Sequence, residues 1–183
     1  GGDEWVNGQL VAGKEKPKRF TSYAPLTIVC DGHFSSLRKK LADNKIDHPS
    51  HFVGLILDGA PSEILGENAN QGHVVLGDPS PVLFYPISSK EVRCLVDIPS
   101  HVKMPRVKDG SMAKYVLEKI LPQVPKRVQP YLKIAVERGD FKAMPNKTMP
   151  ANPKRTKGAV LLGDSFNMRH PLTGGGMTVA LSD

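Results

Sequence analysis

Three consecutive glycines, Gly174, Gly175 and Gly176, stand between an apolar run that ends in an acidic residue, "GAVLLGD" (158–164), and the apolar stretch "MTVAL". A turn seldom needs three residues without Cβ. Such a stretch lets a ligand, or a second backbone, come against bare main chain. If the first run is a strand, Asp164 lies at its carboxyl end, where open α/β sheets bind ligands and where a carboxylate accepts hydrogen bonds from sugar-type hydroxyls. If "MTVAL" opens a helix, the N–H groups of Gly175, Gly176 and Met177 form an anion site at the positive end of its dipole. The plainer alternatives are an Asp that caps its own turn and a glycine that permits close helix–strand packing. One glycine would suffice for packing, so the cluster favours a ligand. It is not a P-loop, because the GK[ST] ending is missing, and no GxGxxG occurs.

Asp31-Gly32 repeats the pattern after a second apolar run, Leu26 to Cys30. Gly32 permits a tight turn, and Asp31 is placed to meet the same ligand. Arg38, one helical turn on, is in reach of an acidic group; a plain turn and a solvated helix face are the alternative. His170, within "NMRHP", shares the glycine loop with Arg169 and either orients that loop, touches a substrate or is structural. His48 and His51 are three apart near a proline without a third ligand beside them, so a surface loop is expected and no metal site is assigned. Ser165 adjoins Asp164 but not in a G-x-S-x-G elbow, and no catalytic triad emerges. Tyr85, in "SPVLFYPI", offers an apolar ring with one polar handle, suited to a hydrophobic pocket; Leu83 and Phe84 read as core.

These groups need elements to position them. The 183 residues are 39% hydrophobic and 23% charged, ordinary for one globular domain or slightly more. The net charge is +7, but the cations are scattered apart from "KEKPKR" (14–19), and aromatics are too few for a nucleic-acid face. No secretory signal or membrane-length apolar run is seen. Cys30 and Cys94 lie in apolar runs and read as small buried hydrophobes in a reducing compartment.

The first 20 residues suggest a hairpin or surface excursion. "YAPLTIVCDG" is a strand of the type covered on both faces, followed by a helix in "HFSSLRKKLAD" with Phe34, Leu37 and Leu41 on its apolar side. Short strands follow in "HFVGLILDG", "GHVVLGD", "PVLFYPI" and "EVRCLVDIP". The last alternates, with Val92, Cys94, Val96 and Ile98 opposite Glu91, Arg93 and Asp97. "ISSKE" reads as a hairpin turn. Helices are expected in "SMAKYVLEKIL", N-capped by Ser111, and in "PKRVQPYLKIAVERG". "MPNKTMPANPKRTKG" (144–158) is the best linker, before "GAVLLGD" returns as a second doubly covered strand. The expected fold is α/β with an α+β insert. Residues 1–42 and 154–183 form parts of one nucleotide-binding-like domain, and 43–153 an antiparallel sheet with two helices.

"LTIVCDGHFSSLRKKL" and "GAVLLGDSFNMRHPLTGGGMTVALSD" resemble the DG and GD motifs of flavoprotein monooxygenases of the hydroxybenzoate-hydroxylase type. "NMRHPLTGGGMTVAL" and "GDPSPVLFYPISSKEVRCLVDIP" resemble more specifically the squalene monooxygenase (squalene epoxidase) family, from about Tyr23 onward. The resemblance implies a partial FAD-binding, Rossmann-like domain with the substrate domain inserted between the two motifs. It implies FAD as cofactor and epoxidation of squalene to 2,3-epoxysqualene through a flavin hydroperoxide, for sterol synthesis. NADPH would supply electrons through NADPH–cytochrome P450 reductase, at the cytosolic face of the endoplasmic reticulum membrane. Asp164 matches the residue that holds the flavin's ribityl hydroxyls, and Asp31 the DG aspartate near the cofactor. Gly175, Gly176 and Met177 match the helix start facing the flavin ring, while Tyr85, Pro171 and Leu172 match the apolar wall beside it. The family's GxGxxG unit and its membrane-contacting helices have no counterpart here, so a fragment inactive by itself is expected. A related flavin monooxygenase acting on another lipid, or a non-catalytic anion- or membrane-binding domain, is the alternative.

Overall fold

The computed structural model describes residues 4–6, 9–11, 21–66 and 69–183. Near the start, β1 (Glu4–Val6) pairs antiparallel with β2 (Gln9–Val11). The remainder is organised around two sheets. β3 (Thr27–Val29) pairs in parallel with β9 (Ala159–Leu161), in the register Thr27↔Ala159 to Val29↔Leu161. Between them in sequence lies a five-stranded antiparallel sheet in the order β5-β6-β7-β4-β8. Its strands are β4 (Ser50–Asp58), β5 (His73–Val75), β6 (Val82–Ser88), β7 (Glu91–Pro99) and β8 (Lys142–Pro145).

Period-two alternation builds this larger sheet. Val92, Cys94, Val96 and Ile98 are fully buried on one face, together with Val53, Leu55, Leu57, Val82 and Phe84. β6 and β7 join through a tight hairpin in which Ser88 pairs with Glu91. Two helical segments cover the apolar face. The first begins as α2 (Ser111–Tyr115), widens into a π turn over Val116–Ile120, and ends in a 3-10 turn, Leu121–Gln123. Pro122 lacks the N–H that would continue the α pattern. The second, α3 (Gln129–Arg138), buries Leu132, Ala135 and Val136 at helical spacing and stops at Gly139, whose φ of +71° suits a left-handed cap. Burial in this core also pushes the Cys94 thiol well above its ordinary range.

Several expectations are corrected. The helix after β3 is one turn, α1 (Arg38–Leu41), preceded by turns. Its polarity is inverted: Phe34 and Leu37 are exposed, whereas Arg38 is buried, because backbone carbonyls take up its guanidinium. Gly110 rather than Ser111 is the N-cap; the Ser111 hydroxyl instead bonds the backbone of Arg106. The linker expected at 144–158 begins inside edge strand β8, and Asn146 and Met149 are buried. His51 lies in β4 rather than on a loop. Cys30 is exposed, and so are Leu26, Ile28 and Val160, so the β3–β9 pair is not covered on both faces among the described residues. Two parallel strands alone do not provide the second layer such strands need. The expected hairpin at the start agrees with the β1–β2 pairing, and the rest of the first 20 residues lies outside those described.

Two outcomes follow from this core. Leu132→Ala, at a fully buried site, is expected to lower stability by about 2–5 kcal/mol, while Ile134→Ala on the exposed side of α3 changes it by less than about 0.5 kcal/mol. Urea denaturation of the full-length protein measures both. Cys94 is expected to resist alkylation across pH 7–9 until the protein unfolds, as read by peptide mapping.

Candidate functional site

The parallel register brings the two acidic turns to one edge. β3 ends at Val29 beside Leu161, so Asp31 and Asp164 both lie just beyond the carboxyl ends of paired strands. Three contacts fix this edge. The Leu162 N–H donates to the Val29 carbonyl at 2.9 Å. The fully buried Ser165 hydroxyl lies 2.7 Å from both the Val29 and Leu162 carbonyls and accepts from the Leu162 N–H at 3.2 Å. Arg38 donates to the carbonyls of Asp164 at 3.0 Å and His33 at 2.7 Å, joining the two turns. The carboxylates of Asp31 and Asp164 are exposed, and no hydrogen bond or ion pair reaches either among the described residues. Both remain available as acceptors.

The glycine loop leaves this edge and returns to it. Pro171–Thr173 forms a 3-10 turn closed by Gly174 at φ +61°, and α4 (Gly176–Ser182) begins after Gly175. A Cβ on Gly174 or Gly176 would meet no heavy atom within 4 Å, and one on Gly175 would meet only the Thr173 hydroxyl at 3.5 Å. Gly174 is therefore required by its backbone angle, but no protein packing requires Gly175 or Gly176. The main chain there is open to the approach of another group. Gly163 is different: its φ of +65° favours glycine, while a Cβ there would make only an ordinary contact, at 3.7 Å, with that of Ala180.

A buried polar cluster ties this loop to the antiparallel sheet. The Leu172 N–H donates to His170 Nδ1 at 3.2 Å, which makes that nitrogen an acceptor and puts the ring proton on Nε2. Nε2 then donates to Ser50 Oγ at 2.8 Å and stands 3.9 Å from Asp97 Oδ1. Asn146 Nδ2 donates to Ser50 Oγ at 2.9 Å and Asp97 Oδ1 at 3.0 Å, and the Ser80 hydroxyl donates to Asp97 Oδ2. The His170 ring also meets Phe52 edge-on, with centroids 5.8 Å apart. Tyr115 carries a buried hydroxyl without a partner; burial first, then the charges of Asp78 and Asp97, raise its pKa.

Tyr85 shares the sheet face that carries Phe52 and Asp97, opposite the helices. Its cross-strand partner Arg93 lies four residues from Asp97, about 13 Å along the strand. Leu83 and Leu95 form a cross-strand pair between them on the same face. The structure thus gathers Asp31, Asp164 and the α4 start at one edge, hangs Pro171 and Leu172 from the sheet through His170, and leaves Tyr85 farther along. Asp97, Ser50 and Asn146 escaped the sequence reading. Their only local signal was an acidic residue between Val96 and Ile98; the partners lie 49 and 96 residues apart in sequence.

Residues 23–183 match the family model of squalene epoxidase. The chain belongs to the squalene epoxidase family. Over 164 residues it is 60% identical to squalene epoxidase 2, mitochondrial, of Arabidopsis thaliana, covering 90% of this chain and 27% of that one. Over 181 residues it is 43% identical to the squalene monooxygenase of Rattus norvegicus, covering 99% and 30%. The chain therefore spans about a third or less of the length of these relatives. In fold it is similar to HpxO of Klebsiella pneumoniae, solved with FAD and uric acid, with a TM-score of 0.64 at 18% identity over 85% of this chain and 40% of that one.

Arg38→Met removes both carbonyl contacts and is expected to cost about 2–4 kcal/mol, with Arg38→Lys intermediate because one ammonium nitrogen replaces the two guanidinium nitrogens that reach the two carbonyls. Urea midpoints of the full-length variants, with amide exchange at residues 29–35, measure the loss.

Proposed function

We propose that this chain forms part of an FAD-dependent monooxygenase that epoxidises squalene to 2,3-epoxysqualene. The observation that carries the reading is the meeting, at one edge of a parallel pair, of two free carboxylates and a glycine-opened helix start, in a chain of the squalene epoxidase family. Bound there, FAD supplies the oxygen-activating redox chemistry that the side chains lack.

The residues would divide the work of holding it. Asp164 accepts hydrogen bonds from the ribityl hydroxyls, and Asp31 stands near the cofactor on the neighbouring strand. The main chain of Gly175, Gly176 and Met177 approaches the flavin ring, with N–H groups directed where negative charge collects on reduction. Pro171, Leu172 and Tyr85 line the apolar side. Squalene is a hydrocarbon, so its binding depends on apolar area withdrawn from water, at about 25 cal/mol per Å². The sheet face bearing Leu83, Leu95 and Tyr85 offers such area. Shielding the site from water also protects the activated oxygen from wasteful side reactions.

Electrons would come from NADPH through NADPH–cytochrome P450 reductase, and the working protein would sit on the endoplasmic reticulum membrane. No helix among the described residues is long and apolar enough to cross a bilayer. We infer that this chain, which spans about a third or less of the length of its relatives, is inactive alone.

The test is to express the full coding sequence and record its visible spectrum, with epoxysqualene formation from squalene, NADPH and the reductase. A flavin spectrum and product are expected. Asp164→Ala is expected to weaken FAD binding at least about tenfold, the worth of one charge-assisted hydrogen bond. A folded, colourless full-length protein overturns the reading, and a yellow protein active only on another lipid overturns the substrate.

A further inference from the structure

We propose that His170 is a positioning residue, one that sets the seat of the flavin by latching the glycine loop to the antiparallel sheet through Ser50 and Asp97. The inference rests on the flavin reading of the site and adds to it the device that holds the loop in place.

Within the loop the bonds are local: the Thr173 hydroxyl donates to the His170 carbonyl at 2.8 Å and accepts from the Gly175 N–H at 3.3 Å, and neither ties the loop to another element. Pro171 donates no N–H, Gly174 and Gly176 offer no side chain, and Pro171, Thr173 and Gly174 are exposed. The first turn of α4 buries no residue. Three tethers lie upstream. Asn44 Nδ2 donates to the Phe166 carbonyl at 3.3 Å, Met168 and Met149 exchange backbone bonds of 2.8 and 3.0 Å, and His170 reaches Ser50. Of these, His170 alone bonds the turn itself, through the Leu172 N–H.

The sheet side of the latch is costly to build, which argues that it has a task. Asp97 is 5% exposed, Ser50 3% and Asn146 0%. No Lys or Arg neutralises the Asp97 carboxylate among the described ion pairs; its partners are a hydroxyl, an amide and the nearby imidazole. A buried carboxylate without a cation is destabilising unless donors surround it. Here one donor also positions something else. Asn146 holds both Asp97 and Ser50, and Ser50 receives the ring proton of His170. Phe52 closes the side of the ring and fixes its plane. The imidazole is thereby held in one tautomer, with Nδ1 turned to the loop. A loop placed this way moves only if the sheet moves. The α4 start then stands at a set height against the cofactor, and displacements of about 1 Å there matter for catalysis.

The full-length, flavin-loaded protein tests this with H170A, H170N and S50A. H170N retains an acceptor for the Leu172 N–H but cannot reach Ser50. S50A removes the sheet end alone. H170A is expected to shift the flavin absorption band and reduction potential, and to lower kcat about 10- to 100-fold with KM for squalene changed less than about twofold. H170N should recover part of each, and S50A should shift the band in the same direction while lowering the unfolding midpoint only by the loss of one buried acceptor. A merely structural histidine would lower the midpoint without moving the flavin's spectrum. If H170A fails to fold, S50A and H170N carry the test. A wild-type spectrum, potential and kcat in the folded variants overturn the latch while leaving the flavin reading intact. A full-length protein that binds no flavin overturns both.

Discussion

The pairing of β3 with β9 is the interaction on which the rest of the site depends. Three residues on each strand meet in parallel, and only this register sets Asp31 and Asp164 side by side. So short a ladder cannot hold two segments separated by most of the chain. Buried side chains make up the difference. Arg38 spans 126 residues of sequence to bond the Asp164 carbonyl, and Ser165 spans 136 to bond that of Val29. Both leave the Asp164 carboxylate untouched, so fixing the backbone does not consume the group that would face a ligand. The Arg38 bond is charge-assisted and part-buried, and the Ser165 bond is neutral and buried, so losing either donor would leave a carbonyl of this edge without its partner.

The antiparallel sheet serves the same edge from the other side. One face is packed by α2, its π continuation and α3, which makes it a rigid platform. The opposite face carries Phe52 and Asp97 toward the glycine loop and Tyr85 away from it. A rigid sheet that both lines an apolar surface and holds the loop joins substrate placement to cofactor placement. Met149 and Asn146 make the connection continuous: the segment leaving β8 turns its buried side chains under the same loop.

What was legible in the sequence follows the range of the forces involved. β4, β6, β7 and their hairpin were readable because alternation and turn chemistry are local. The strand–Asp turns were readable for the same reason, as was the helix start after Gly175. Arg38 was not, since a charged side chain among lysines reads as solvated, and only the distant Asp164 carbonyl makes burial favourable. β8 was hidden because "KAMP" has no alternation of its own; its place is dictated by the free edge of β4. The exposure of Ile28 and Val160 was equally hidden, because an apolar run announces that a strand wants cover without saying which residues supply it.

The three glycines separate into two physical roles. Gly174 answers a backbone demand, for a side chain at φ +61° is strained whatever lies nearby. Gly175 and Gly176 answer no such demand, and no neighbouring atom crowds them. Gly175 is the N-cap of α4, where glycine is preferred to alanine, and Gly176, in the first turn, loses up to about 1 kcal/mol of helix propensity relative to alanine. On the proposed reading, what the missing Cβ at Gly176 admits is a planar group against bare main chain, where contact distance and the reach of the N–H dipoles both improve. The buried Asp97 cluster fits the same logic. Loss of local stability at the loop is tolerable where a stiff neighbour holds the loop in place, and His170 is the bond through which that stiffness arrives.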